Sequence, residues 1–385
     1  MVNLYVRGFA VACVTLVAAT ASAQAPQSEA DAIKARQRIS MIEGMLERAV
    51  ANDHALFLDQ SVNAPSNESG GVSAMHYIFE NYTTGTANDP AAGFESLDGT
   101  ELLSQHRAGF FMTDPVYPGD SAVANRFALR WDLRQKIVWS LSANMPTEVK
   151  DAVRQGLLYW NAVLGSEVIQ VVDAPADVRV TDPGYNIVQW VNNDTYAAAY
   201  AQFRADPLTG RILQASIVLP SSWYIEGVRD LGLRVSTLAS AKTRTALQAS
   251  ARSVCALAPE LTQMKTTFGQ LLLQGGGDEA VKAASLDLLT TIVAHEAGHT
   301  MGLRHNFMAK TALDGTPADY KKDADNYLKT SDPGSRVLTS SVMDYSPYVL
   351  DAMLGHMMKN GTFVGKYDAS ALAWGYQGTA TGDVD

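Results

Sequence analysis

Residues His295-Glu296-Ala297-Gly298-His299-Thr300-Met301-Gly302-Leu303-Arg304-His305 set three histidines and a glutamate at fixed intervals, H-E-x-x-H-x-x-G-x-x-H. Histidines at i and i+4 share one face of a helix, one turn apart, so the chain up to His299 is expected to be helical. Gly302 follows about one turn later, where a glycine tolerates positive φ and ends a helix. The chain can then swing back and bring His305 to the same point. Two imidazole nitrogens so placed can bind one zinc at about 2.0–2.1 Å, and three neutral imidazoles leave a fourth position open for water. That is the layout of a catalytic zinc site and not of a closed structural one. Glu296 projects beside such a metal, where it can take a proton from water. Requiring Gly and His at two further positions thins chance matches to H-E-x-x-H by roughly a thousandfold. Three of the chain's 7 histidines fall in this run.

Downstream stands Ser340-Ser341-Val342-Met343-Asp344-Tyr345-Ser346-Pro347. A long zinc motif followed by a Met-containing turn resembles the metzincin clan of zinc-dependent metalloproteases, in its bacterial secreted form. The segments Asn186–Val191, Asp206–Pro220 and Thr300–Phe307 extend the likeness, which covers about residues 126–376. The resemblance implies an α/β (α+β) fold: a metzincin-like catalytic domain with a twisted mixed sheet, a zinc-binding active-site helix and a Met-turn. It implies one catalytic zinc held by His295, His299 and His305, with Glu296 as general base. Met343 then forms an apolar floor beneath the histidines, and Gly302 supports the turn. Tyr345, two residues after the Met, binds the metal or swings away to donate a hydrogen bond to the oxyanion. Alone, Met343 would pass for an ordinary core methionine and Tyr345 for a buried phenol; the zinc motif upstream favours the functional roles.

The N-terminus has the form of a targeting segment. Arg7 precedes a short apolar run from Gly8 to Thr20, and Ala21-Ser22-Ala23 is a small-residue cleavage pattern, so the mature chain is expected to begin at Gln24. Acylation at Cys13 is the weaker reading, because the apolar run before it is too short. No other stretch is long and apolar enough to span a bilayer, so stable membrane insertion is not expected. These features predict a secreted or periplasmic protein. The net charge of −10 argues against a nucleic-acid partner, which needs a basic footprint. Cys13 leaves with the signal, and Cys255 remains in an apolar helical context as a buried thiol.

Three regions follow: a signal peptide at 1–23, an N-terminal segment at 24–125 serving as pro-segment or accessory domain, and a catalytic domain at 126–385. A helical insertion occupies about 225–285. Ala30 to Val50 carries Ile33, Ile39, Ile42, Leu46 and Val50 at helical spacing, which predicts an amphipathic helix. Lys136–Leu141, Val168–Val172, Asn186–Val191 and Ile212–Leu219 predict strands, and a helix starts at Pro146. Leu288, Ile292, His295 and His299 align on one helical face. A C-terminal helix is expected from Tyr367, with Asp368 as its cap. His54, His76, His106 and His356 lack ligand spacing. Calcium is possible but unsupported: Asp319, Asp323 and Asp325 form no recognised calcium loop.

The expected activity is zinc-dependent hydrolysis of a protein or peptide substrate, lying extended along the Ile212–Leu219 strand and bordered by Ser346-Pro347-Tyr348. The alternatives are a non-catalytic zinc-containing binding or adhesion module and a zinc amidohydrolase acting on cell-wall peptides. The intact Glu296 counts against the binding module, since holding metal does not require that carboxylate. No pattern in the sequence sets an oligomeric state.

Overall fold

A computed structural model describes residues 44–51, 55–64, 71–80, 93–98, 109–115, 125–180, 182–192, 199–224 and 278–377. The chain divides into two compact units, the smaller comprising Met1–Ala92 with Thr181–Pro183 and the larger Gly93–Val180 with Gly184–Asp385. The larger unit takes in chain upstream of residue 126, where the sequence places the start of the catalytic domain.

In the smaller unit, β1 (Gly44–Ala51), β2 (Ala55–Ala64) and β3 (Gly71–Glu80) form an antiparallel sheet in that order. This corrects the helix expected up to Val50. Leu46 and Val50 are four residues apart, an even spacing that one face of a strand satisfies as well as one face of a helix. Pairing with β2, from Gly44 opposite Val62 to Ala51 opposite Leu56, decides between them. Ile33, Ile39 and Ile42 lie outside the described residues, as do the targeting segment and Cys255.

The larger unit opens on β4 (Ile137–Leu141), α1 (Thr147–Leu164), β5 (Ile169–Asp173) and β6 (Asn186–Val191). Helix α1 buries Val149, Val153, Leu157 and Trp160, and Gly165 at φ 63° ends it in the left-handed conformation that favours glycine. Next come β7 (Tyr200–Ala205) and β8 (Ile212–Pro220). The Asp206 carboxylate folds the turn between them, accepting from Leu208 N at 2.8 Å and Thr209 Oγ1 at 2.7 Å. The sheet order is β5-β4-β6-β8-β7, with β7 antiparallel to β8 and every other pair parallel. The sequence reading lacks β7.

Four described helices follow: α2 (Asp278–Thr300), α3 (Pro317–Thr330), α4 (Tyr348–Lys359) and α5 (Lys366–Gln377). None is long and apolar enough to cross a membrane. The histidine-bearing α2 is more than amphipathic. From Asp287 to Gly298 every residue is buried, as expected of a helix packed on all sides. Glycines in its partners permit that packing. A Cβ on Gly156 of α1 would lie 2.5 Å from Thr290 O, and one on Gly355 of α4 would lie 1.8 Å from Asp287 O. The residues 225–277 of the expected insertion lie outside those described.

Candidate metal centre

Helix α2 carries His295 and His299, and its exit delivers His305. At Gly302 φ is 95°, and a Cβ there would sit 2.1 Å from Leu129 O, so both conformation and space require glycine. Leu303 N donates to Gly298 O at 3.1 Å and closes the last turn. The returning chain is then pinned from two sides. Arg304 N donates to Gly109 O and Phe111 N to Gly302 O, both at 2.7 Å, while Asn306 N donates to Met343 O at 2.9 Å.

The three rings converge through Nε2. His305 Nε2 lies 3.1 Å from that of His299 and 3.1 Å from that of His295. Ligands at about 2.0–2.1 Å in a tetrahedral arrangement would stand roughly 3.3 Å apart, so the spacing fits one metal ion. Carbonyls fix two of the tautomers. His295 Nδ1–H donates to Val342 O at 2.7 Å and His299 Nδ1–H to Leu303 O at 2.8 Å, which leaves each Nε2 with its lone pair. Burial, foremost, holds all three imidazoles neutral: His295 falls well below its ordinary range, His299 falls, and His305 drops to about 4. The Nε2 lone pairs of His295 and His299, both facing the His305 ring at one point, make a place for a cation. Among the described residues no other His, Cys, Asp and Glu side chains gather in a group of three that could hold a metal.

Around this point stand the other residues singled out in the sequence. The Tyr345 hydroxyl lies 2.7 Å from His305 Nε2, so the phenol reaches the convergence point itself. Glu296 is buried, and burial pushes its carboxyl up to about 8, with the Ala201 backbone N–H acting the other way. Ala201 belongs to β7, so the sheet's antiparallel edge faces the site. Met343 is fully buried beneath α2, where a Cβ on Gly298 would meet its Sδ at 2.3 Å. The methionine therefore lies under the turn between the two helical histidines.

A histidine triad at one point, a glutamate beside it and a methionine floor beneath invite comparison with known families. Residues 277–384 match the family model described as Met-zincin. With the three converging histidines, that match supports a metzincin-type zinc site in this part of the chain. No curated protein and no solved structure matches the chain. The matched segment contains every ligand candidate, the Met-turn and the C-terminal helix.

Several site-building residues escape the sequence reading. Gly298 sits inside α2, where glycine costs about 1 kcal/mol relative to alanine. That cost is the available signal of a close approach, and Met343 and Trp160 are what approach. Trp160 also donates from Nε1 to Ala294 O at 2.9 Å. Phe111 sets its ring edge-on to His299 at 5.7 Å and touches Phe203 of β7 at 5.3 Å. Asp368 is not a helix cap. It is fully buried in the first turn of α5 and turns to the Met-turn, accepting from Ser341 Oγ at 2.5 Å and Val342 N at 3.0 Å. A lone acid ahead of an apolar helical run looks the same in sequence whether it caps or reaches away.

The expected substrate support is also corrected. Strand β8 pairs with β6 on one side and β7 on the other, so its backbone groups are engaged in the sheet. The acids weighed for calcium serve other partners. Asp319 completes a capping box with Thr316, Asp323 pairs with Arg336 at 2.7 Å, and Asp325 with Lys321 at 2.7 Å. His356 stands 3.1 Å from Asp287, apart from the triad. His54 and His106 lie outside the described residues, and of His76 only the backbone, on β3, is described.

Proposed function

We propose that the protein is an exported zinc endopeptidase in which His295, His299 and His305 hold the metal and Glu296 is the general base. One observation carries the reading: three neutral imidazoles converge on one point, and Glu296, next to His295 on the same helix, is buried. A site that only stored zinc would have no use for that carboxylate. Bound zinc would supply positive charge that acidifies water toward a pKa of about 7 and polarises the scissile carbonyl.

The protein's own groups do the rest. Glu296 accepts a proton as water attacks the peptide carbonyl, then returns it to the leaving amine. Tyr345 O–H donates toward the developing oxyanion from the position it holds beside His305. Strand β7 pairs on only one side among the described residues, so its other side can receive an extended peptide as an added strand. That arrangement replaces β8 as the substrate support and brings the peptide past Glu296. The N-terminal charge, apolar run and Ala21-Ser22-Ala23 support export.

The test is hydrolysis of casein or a quenched fluorescent peptide by the purified protein, with and without chelator. Glu296→Gln should keep the metal and lose turnover by about 10²–10⁴-fold, the usual cost of losing a general base. A metal-loaded Glu296→Gln variant with wild-type turnover would remove Glu296 from the chemistry. Absence of chelator-sensitive hydrolysis in the wild type would remove the peptidase reading itself.

A further inference from the structure

His295 differs from His299 in how it is held. The Nδ1 partner of His299 is Leu303 O, in the exit of the same helix. The Nδ1 partner of His295 is Val342 O, in the separate Met-turn. Whatever fixes and polarises that carbonyl therefore acts on the first ligand. Val342 C=O shares its peptide with Met343 N, which donates to Ser341 Oγ at 3.0 Å. Ser341 Oγ–H in turn donates to Asp368 Oδ1 at 2.5 Å. The other carboxylate oxygen, Oδ2, accepts from Val342 N at 3.0 Å and from Tyr159 O–H at 2.8 Å. All of these groups are buried, with Asp368 at 0% exposure and Ser341 at 1%.

We propose that Asp368 is a positioning residue for the metal, acting on His295 through a relay of the Ser341 hydroxyl and the Val342–Met343 peptide. The chain runs from carboxylate to hydroxyl, from hydroxyl to amide N–H, and from the same peptide's carbonyl to imidazole N–H. Every donor points toward Asp368, so each bond polarises the next in the same sense. Electron density is pushed toward His295, whose Nε2 becomes the stronger metal donor. Metal-bound histidines commonly have a carboxylate or carbonyl on their other nitrogen, and losing that partner costs about 10–100-fold in affinity. Here the carboxylate works at two removes. The second oxygen restricts the same turn: Val342 N is held by Asp368 while Val342 O holds His295. Tyr159 contributes to the burial and packing of Asp368 but stands outside the relay.

This inference rests on His295 as a metal ligand, and three variants test it in the full-length protein. Ser341→Ala cuts the relay and leaves Asp368 in place. Tyr159→Phe removes a donor to Asp368 and leaves the relay intact. Asp368→Asn removes the charge. Zinc affinity is read by competition with a chromogenic chelator, and the thermal midpoint of the metal-free proteins is read alongside. Ser341→Ala should bind zinc about 10–100-fold more weakly. Tyr159→Phe should lower the midpoint at least as much while keeping zinc affinity within about threefold of the wild type. Asp368→Asn, where it folds, should match Ser341→Ala or exceed it. Wild-type affinity in Ser341→Ala overturns the relay. So does a loss of affinity in Tyr159→Phe equal to that in Ser341→Ala, because Asp368 would then serve packing alone. A folded wild type that binds no zinc overturns the metal centre itself, and the relay with it.

Discussion

At the scale of single residues, the site is made as much by atoms left out as by atoms present. Gly298 leaves room for Met343 Sδ and for the Trp160 ring, which a Cβ would meet at 2.3 and 2.6 Å. Gly298→Ala should therefore destabilise the protein by about 1–3 kcal/mol, although alanine is the better helix former, because overpacking outweighs propensity. Equilibrium denaturation checks this, and a stability gain would mean that Met343 moves aside freely. Tyr345 illustrates the opposite case, a group whose value lies in what it adds. Its hydroxyl is 2.7 Å from His305 Nε2, where the proposed chemistry would develop charge. Tyr345→Phe should lower kcat more than it alters KM, by less than the roughly 10²–10³-fold typical of a fixed oxyanion donor, since the phenol also contacts a ligand. Unchanged kcat at saturating peptide would leave Tyr345 a packing residue.

At the scale of elements, what is legible in the sequence depends on how local the signal is. The histidine spacing and Gly302 are local, and the helix, its exit and the triad follow from them. Strands β4, β5, β6 and β8 are apolar runs in the sequence and stand where those runs are. Strand β7, Tyr-Ala-Gln-Phe-Arg-Ala, has a weaker alternation, and its strand character comes from pairing with β8. Without β7, the sequence offers β8 as the substrate's neighbour. Asp368 reads as a cap for a related reason: its partners lie 27 and 209 residues away, at Ser341 and Tyr159, where no local pattern points. The edge position of β7 has a test. Proline is tolerated on an edge strand when its missing N–H faces outward. Ala201→Pro removes the backbone N–H that acts on Glu296. It should lower kcat/KM on peptides by roughly 10–100-fold with metal retained. Wild-type kcat/KM would show that neither Glu296 nor the bound peptide depends on Ala201 N–H.

At the scale of the whole molecule, buried charge couples folding to pH and to metal. Burial raises the Asp368 carboxyl from 3.8 to about 6, against hydrogen bonds from Ser341, Val342 and Tyr159. A carboxyl raised in the folded state favours its protonated form there. Its contribution to stability is thus present below about pH 4 and is lost as pH rises through about 6. The stability cost of Asp368→Asn, measured by denaturation of the metal-free protein, should shrink by up to about 3 kcal/mol between about pH 4 and pH 7. A cost that grows over that interval would show Asp368 ionised more readily in the fold than in the open chain. The same unit carries a consequence for how a shorter active form could arise. Gly109 and Phe111 are hydrogen-bonded to the exit of the metal helix, and the Phe111 ring lies against His299. A protease that trimmed the chain downstream of Pro115 would detach this strip, deprive His299 of an aromatic neighbour and leave Arg304 N and Gly302 O to solvent. Any maturation cut compatible with an intact centre falls ahead of Gly109, and the N-terminal residue of the fully active species, read by mass spectrometry, should lie there.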